Sequence, residues 1–136
     1  MSVLVDTPIW SYALRSHSHR FKQHTDELVR LIKDHQALII GPIRQEVLSG
    51  YSNKKQFDLL RDKLAYFENT PVLGADYEMA AEFSNKCRQQ GVQGSHTDFL
   101  ICAVVARLDV SVFTTDKDFI HYRKHLPIVL HEIKQL

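Results

Sequence analysis

Cysteine is scarce in this chain: Cys87 and Cys102 stand apart and form no CxxC pair. That argues against a disulfide framework or a cysteine zinc site and fits a reducing compartment. Cys102 lies in an apolar stretch and reads as a small core residue. Glycine and proline are also few, five and four among 136 residues, which argues against collagen and low-complexity disorder. No apolar run approaches the ~18 residues of a membrane span, and the N-terminus "MSVLVDTPIW" has no basic region followed by a long apolar one. No membrane partner and a cytoplasmic location are expected. Excess charge is missing too. Seventeen Lys and Arg against sixteen Asp and Glu leave a formal +1, which neither demands nor excludes a nucleic-acid partner.

What is present is an alternation of short apolar runs with amphipathic stretches. "SVLVD" reads as a buried strand ending in an acid, and the Thr7-Pro8 step opens a helix on "IWSYAL". A helix follows from Phe21 to Ile32, then a strand at "ALII", a helix after Gly41-Pro42 and another over "KKQFDLLRDKLAYF". "TPVL" is a possible strand, and Tyr77 to Gln90 a helix ended by Gly91. Phe99 to Leu108 is apolar almost all round, which marks a helix buried on most faces. "VSVF" then reads as a strand, "KDFIHYRKHL" as a helix and "PIVL" as a possible final strand. This order predicts one α/β domain over residues 1–136, with a mostly parallel sheet flanked by helices. Ligands of such sheets bind outside the carboxyl ends of the strands. Asp6 and Asp116 stand at two such ends.

Each acid has a plain reading when taken alone. Asp6 can cap the helix at Pro8, Asp116 can cap "KDFIHY", and Asp118 then lies in that helix's first turn beside the positive end of its dipole. Ser95-His96-Thr97-Asp98 matches a capping box with its acid shortened to Asp. Glu46 can be a helix charge, but Ile43, Val47 and Gly50 share a face and place it at the edge of that stripe, next to the core and away from the open surface. Together the acids can reach one crevice. Gathered carboxylates repel one another and need a cation, and an all-oxygen set that leaves room for water and phosphate suits Mg²⁺ or Mn²⁺. Phosphodiester hydrolysis is the matching chemistry.

Four stretches in order carry a resemblance: "VLVDT" with Asp6, "PIRQEVLSG" with Glu46, "HTDFLICAVVA" with Asp98 and "FTTDKDF" with Asp116. Over nearly the whole chain it resembles a PIN-domain ribonuclease, and more narrowly the VapC type of toxin from toxin-antitoxin pairs. The resemblance implies a PIN fold and a metal-dependent endoribonuclease. Asp6, Glu46, Asp98 and Asp116 would be its catalytic and metal-binding acids, with Mg²⁺ or Mn²⁺ as cofactor. Thr7 and Thr114 match accessory hydroxyl positions, and Asp118 a frequently acidic one. It also implies an RNA substrate, a cognate antitoxin and a homodimer. Cys102 stands where alanine is common, and Tyr51 to Gly94 carries no motif.

Other residues admit two readings. Arg15, His17, His19, Arg20, Lys22 and His24 can hold RNA phosphates or form a solvated loop, and the histidines can bind zinc adventitiously. Lys54, Lys55, Arg61 and Lys63 read as the polar face of a helix. His96 and His121 lie near the acids, but a metal-generated nucleophile requires neither. Trp10 reads as core, Tyr12 as core or partner surface. An aspartyl-nucleophile phosphatase would need a second Asp where Pro8 stands, and a receiver domain an acidic pair near the first strand. A non-toxin PIN nuclease and a non-catalytic PIN-like binding module stay open.

Overall fold

Short apolar runs build the sheet, and its parallel pairing sends their carboxyl ends the same way. In the computed structural model, which describes residues 1–15 and 19–134, β1 (Val3–Val5), β2 (Ala37–Leu38), β3 (Ser111–Phe113) and β4 (Val129–Leu130) are all parallel, in the order β2-β1-β3-β4. Each crossover is helical: α1 (Thr7–Arg15), a 3₁₀ turn (His19–Phe21) and α2 (Lys22–Lys33) join β1 to β2. Helices α3 (Gly41–Ser49), α4 (Lys54–Leu64), α5 (Gly74–Gln89) and α6 (His96–Leu108) lie between β2 and β3, and α7 (Asp118–Arg123) between β3 and β4. The predicted α/β class is the observed one.

Helix α6 buries every residue from Phe99 to Val105, which explains its lack of a polar face. Trp10 is core, with its indole N–H donating to the Val5 carbonyl at 3.0 Å. Tyr12 is half-buried, stacks on Phe21 with centroids 3.7 Å apart and shares a 2.8 Å hydrogen bond with Thr115 Oγ1 in the loop after β3. Both cysteines are free and buried. Among the described residues no helix is long and apolar enough to cross a membrane.

"TPVL" forms no strand, which corrects the sequence reading. Its neighbour Asn69 makes one isolated parallel bridge to Ile39, the Thr70 N–H donates to the Ile39 carbonyl at 2.8 Å, and no ladder continues past it. Pro71 has no N–H to give. Its carbonyl accepts from Arg107 Nη2 at 3.1 Å, and the Leu73 N–H donates to Asp76 Oδ2 at 2.8 Å, so α5 starts at Gly74, ahead of the expected Tyr77. Asp76 is 2% exposed and also accepts from Arg107 Nε at 2.8 Å and Nη2 at 3.0 Å. The Arg107 guanidinium holds its carboxyl below the usual carboxylate range. Removing one partner of such a pair leaves the other uncompensated. Asp76→Ala is therefore expected to destabilise the fold by about 1–3 kcal/mol in urea unfolding.

Candidate active site

The two central strands deliver the first acids. Val5 pairs opposite Phe113, so Asp6 and Thr114 emerge side by side, and the Asp6 N–H donates to the Phe113 carbonyl at 2.9 Å. Thr114 Oγ1 donates to Asp6 Oδ2 at 2.8 Å and accepts from the Asp116 N–H at 3.0 Å. One hydroxyl thus ties the ends of β1 and β3 together. On the other side the Thr7 N–H donates to Asp6 Oδ1 at 2.8 Å, while Thr7 Oγ1 donates to Glu46 Oε1 at 3.1 Å. Both accessory threonines therefore hold carboxylates.

The remaining acids come from two helix starts. Ser95 Oγ accepts from the Asp98 N–H at 3.0 Å, capping α6 at the place its sequence marks. The Asp98 side chain turns to Tyr122, whose hydroxyl donates to Oδ2 at 2.7 Å. Asp116 Oδ1 accepts from the Asp118 N–H at 2.9 Å, the local turn expected of an aspartate two residues before a helical one. Asp98, Asp116 and Asp118 each offer a carboxylate oxygen within 4.8 Å of the others. Asp6 and Glu46 lie outside that trio, although Asp98 feels the charge of Glu46 and Asp6 that of Asp98. Asp118, placed by sequence as accessory, is in the tightest group.

Glu46 corrects an expectation. It is exposed, whereas Ile43 and Val47 on the same helix are buried. A carboxylate loses too much hydration energy to follow that stripe inward, and Glu46 stays at the crevice mouth, held by Thr7. With Thr7, Pro42, Gln45, Ser49, Gly50 and Thr97 it lines an open cleft of about 520 Å³.

Burial, more than mutual repulsion, sets the charge state of the deepest acid. Asp6 is 5% exposed, and desolvation pushes its carboxyl up to about 6 despite hydrogen bonds from Thr114 and Thr7; Asp98 and Glu46 add to the rise. Asp98 is raised as well, first by burial and then by the carboxylates of Asp116 and Glu46, against the Tyr122 and Ser95 hydrogen bonds. Asp116 Oδ2 and both Asp118 oxygens accept no hydrogen bond from the described residues. Oxygen donors alone, two acids with raised proton affinity and free lone pairs fit a hard divalent cation.

Tyr122 had no signal in the sequence beyond its place on the apolar face of α7. It is buried, and burial followed by the Asp98 carboxylate pushes its hydroxyl well up, so it acts as a hydrogen-bond donor. Gly94 gives it room: a Cβ there would lie 2.2 Å from the Tyr122 hydroxyl oxygen. His96 and His121 are exposed and make no hydrogen bond to the acids among the described residues. His17 lies outside the described residues. The His24 ring packs among Tyr12, Phe21 and Phe113.

Solved structures share this architecture across almost the whole chain. A chain of the crystal structure of FitAcB from Neisseria gonorrhoeae superposes with a TM-score of 0.78 at 19% identity, covering 98% of this chain and 99% of that one. VapBC2 from Rickettsia felis, bound to a DNA fragment from their promoter, gives 0.73 at 20% identity over 96% and 98%. A toxin-antitoxin complex from Klebsiella pneumoniae gives 0.62 at 21% identity over 87% and 90%. No curated protein matches at the sequence level. The family model that does match is the PIN domain, over residues 3–125. That span includes both central strands and every acid around the crevice, and the chain belongs to the PIN-domain family.

Proposed function

We propose that this PIN domain is a Mg²⁺-dependent endoribonuclease and the toxin of a VapC-type toxin-antitoxin pair. The observation that carries the nuclease reading is the Asp98, Asp116 and Asp118 trio within 4.8 Å, beside a buried Asp6 fixed between two threonines. The toxin reading is supported by the toxin-antitoxin complexes among the similar solved structures. The cell interior is the expected setting.

When bound, Mg²⁺ or Mn²⁺ supplies an acidified water and neutralises charge on the phosphate. Asp6, Glu46, Asp98 and Asp116 would hold it, with Asp118 as a further donor. Thr114 and Thr7 each fix one oxygen of Asp6 and relay that order to Asp116 and Glu46, and Tyr122 does the same for Asp98. Carboxylates held in one geometry lose less freedom when a cation and substrate arrive. Hydrolysis on this plan leaves a 3′-hydroxyl and a 5′-phosphate. The working form is a homodimer, and a cognate antitoxin blocks the crevice with a peptide whose Arg or Lys pairs with the acids.

The test is incubation of total cellular RNA with antitoxin-free protein, in Mg²⁺ or in EDTA, beside Asp116→Asn. Discrete fragments with 5′-phosphate ends, absent in EDTA and in the variant, are expected. Intact RNA with folded wild-type protein in both Mg²⁺ and Mn²⁺ would remove the nuclease reading and favour the binding module. A finer prediction concerns Tyr122→Phe. Asp98 loses a donor, so its proton affinity rises further, and the acidic limb of the activity profile is expected to move to higher pH with activity at pH 7.5 about tenfold lower. An unmoved limb would mean that Tyr122 only packs.

A further inference from the structure

We propose that Arg15 is a phosphate-binding residue, placed at the rim of the acidic cleft to hold the RNA strand beside the scissile phosphate. This rests on the nuclease reading.

Arg15 closes α1 and is exposed, yet its guanidinium has a defined seat. The Cζ atom lies 4.2 Å from the centroid of the Tyr51 ring. Gly50 leaves the space: a Cβ added there would come 1.6 Å from Arg15 Nη2 and 2.8 Å from Cζ. Backbone conformation does not demand that glycine, because φ −76° and ψ −2° suit any residue. What Gly50 provides is room for the cation.

The place of that seat gives it a function. Gly50 lines the same cleft as Glu46 and Thr7. It caps the C-terminus of α3 four residues after Glu46, an axial rise of about 6 Å between the two backbone positions. An RNA strand lying in the cleft that Glu46 and Gly50 line would therefore pass the guanidinium seated over Gly50.

The charge on Arg15 is also available. Arg30 is engaged by Glu27 and Asp34, Arg61 by Asp58 and Asp62, and Arg107 by Asp76. Arg15 makes no ion pair with the described residues, and a ring face leaves the N–H edge of a guanidinium free to fork onto phosphate oxygens. A crevice of carboxylates repels a polyanion on approach. A cation at its mouth offsets that repulsion and adds one salt-sensitive contact.

The test uses the full chain and one single-stranded RNA oligonucleotide, with cleavage and direct binding measured across a salt series for wild type, Arg15→Gln, Arg15→Lys, Gly50→Ala and, as a control, Arg61→Gln. Arg15→Gln is expected to raise KM and Kd about tenfold with kcat nearly kept, and to flatten the log–log salt slope of binding by about 0.7. Arg15→Lys should restore the slope. Gly50→Ala, which displaces the guanidinium without removing its charge, should raise KM, and Arg61→Gln should match wild type. Wild-type KM and salt slope in Arg15→Gln would overturn the assignment while cleavage by wild type kept the nuclease reading. A lower melting temperature with an unchanged slope would also overturn it, since that is a packing role alone. If wild type binds the oligonucleotide without cutting it, the nuclease reading falls, and equal Kd values for wild type and Arg15→Gln would then overturn the Arg15 contact separately.

Discussion

Asp6→Asn is expected to abolish RNA cleavage and at the same time to make the metal-free protein more stable. Both effects come from one buried carboxylate. Its proton affinity is raised from 3.8 to about 6, chiefly by desolvation, and that gap corresponds to about 3 kcal/mol carried by the folded state whenever the group is ionised. The sign follows from proton counting. Between pH 4 and 6 the folded chain binds more protons at this site than the unfolded chain, so the Asp6 contribution to stability falls as pH rises through that window and stays low above it. An amide carries no such cost. Asn can still accept from the Thr7 N–H, and the Thr114 hydroxyl can accept from its amide where it now donates to Asp6 Oδ2. After allowing for imperfect hydrogen bonds, the variant should gain about 1–3 kcal/mol at pH 7.5, or about 3–10 °C in Tm, and lose that gain near pH 4. Its cleavage rate should fall by about a thousandfold or more, since it removes the innermost negative charge of the site. A variant that melts below wild type at pH 7.5 and still cuts RNA would contradict both halves.

The second large effect is a reversal of pH dependence by divalent cations. Without metal, Asp6 makes the protein more stable on the acid side of pH 6, and Asp98, raised by burial and by Asp116 and Glu46, acts in the same direction. With Mg²⁺ the same carboxylates gain a counter-charge, and stability rises by about 2.7 kcal/mol when the ion is present at about a hundred times its Kd. Protons compete for those oxygens. Each proton displaced on binding should weaken the apparent affinity by about tenfold per pH unit below about 6. Melting curves at pH 5 and pH 7.5, each in Mg²⁺ and in EDTA, should therefore show little metal effect at the lower pH and a clear rise in Tm at the higher. Asp116→Asn should remove most of the rise. A Mg²⁺ increment of equal size at both pH values would mean that the ion binds elsewhere.

Much of this is legible in the sequence because the relevant signals are local. A three-residue apolar strand followed by Asp, Thr and Pro is enough to place Asp6 at a strand end, and "SHTD" marks the cap of α6. Both depend on residues within a few positions of one another. The features that sequence missed depend on distance across the fold. Tyr122 reaches Asp98 from 24 residues away, and Thr7 reaches Glu46 from 39. Periodicity alone drew Glu46 inward, where the cost of burying a carboxylate keeps it at the mouth. The failed strand at "TPVL" has a partly similar origin: its apolar character is genuine, but Arg107, 36 residues from Pro71, takes the Pro71 carbonyl, while the nearby Asp76 takes the Leu73 N–H at the start of α5. Asp118 reads as accessory from the resemblance, which marks it only as a frequently acidic position; in the structure the turn at Asp116 accompanies its place in the trio.

The most direct measurement of the central claim is calorimetric titration of Mn²⁺ into metal-free protein at pH 7.5, run on wild type, Asp98→Asn and Asp116→Asn. The carboxylate crevice predicts saturable binding in wild type and a loss of about tenfold or more in affinity in each variant, with the fold intact by circular dichroism. Wild-type affinity in both variants would show that these acids do not form the metal site.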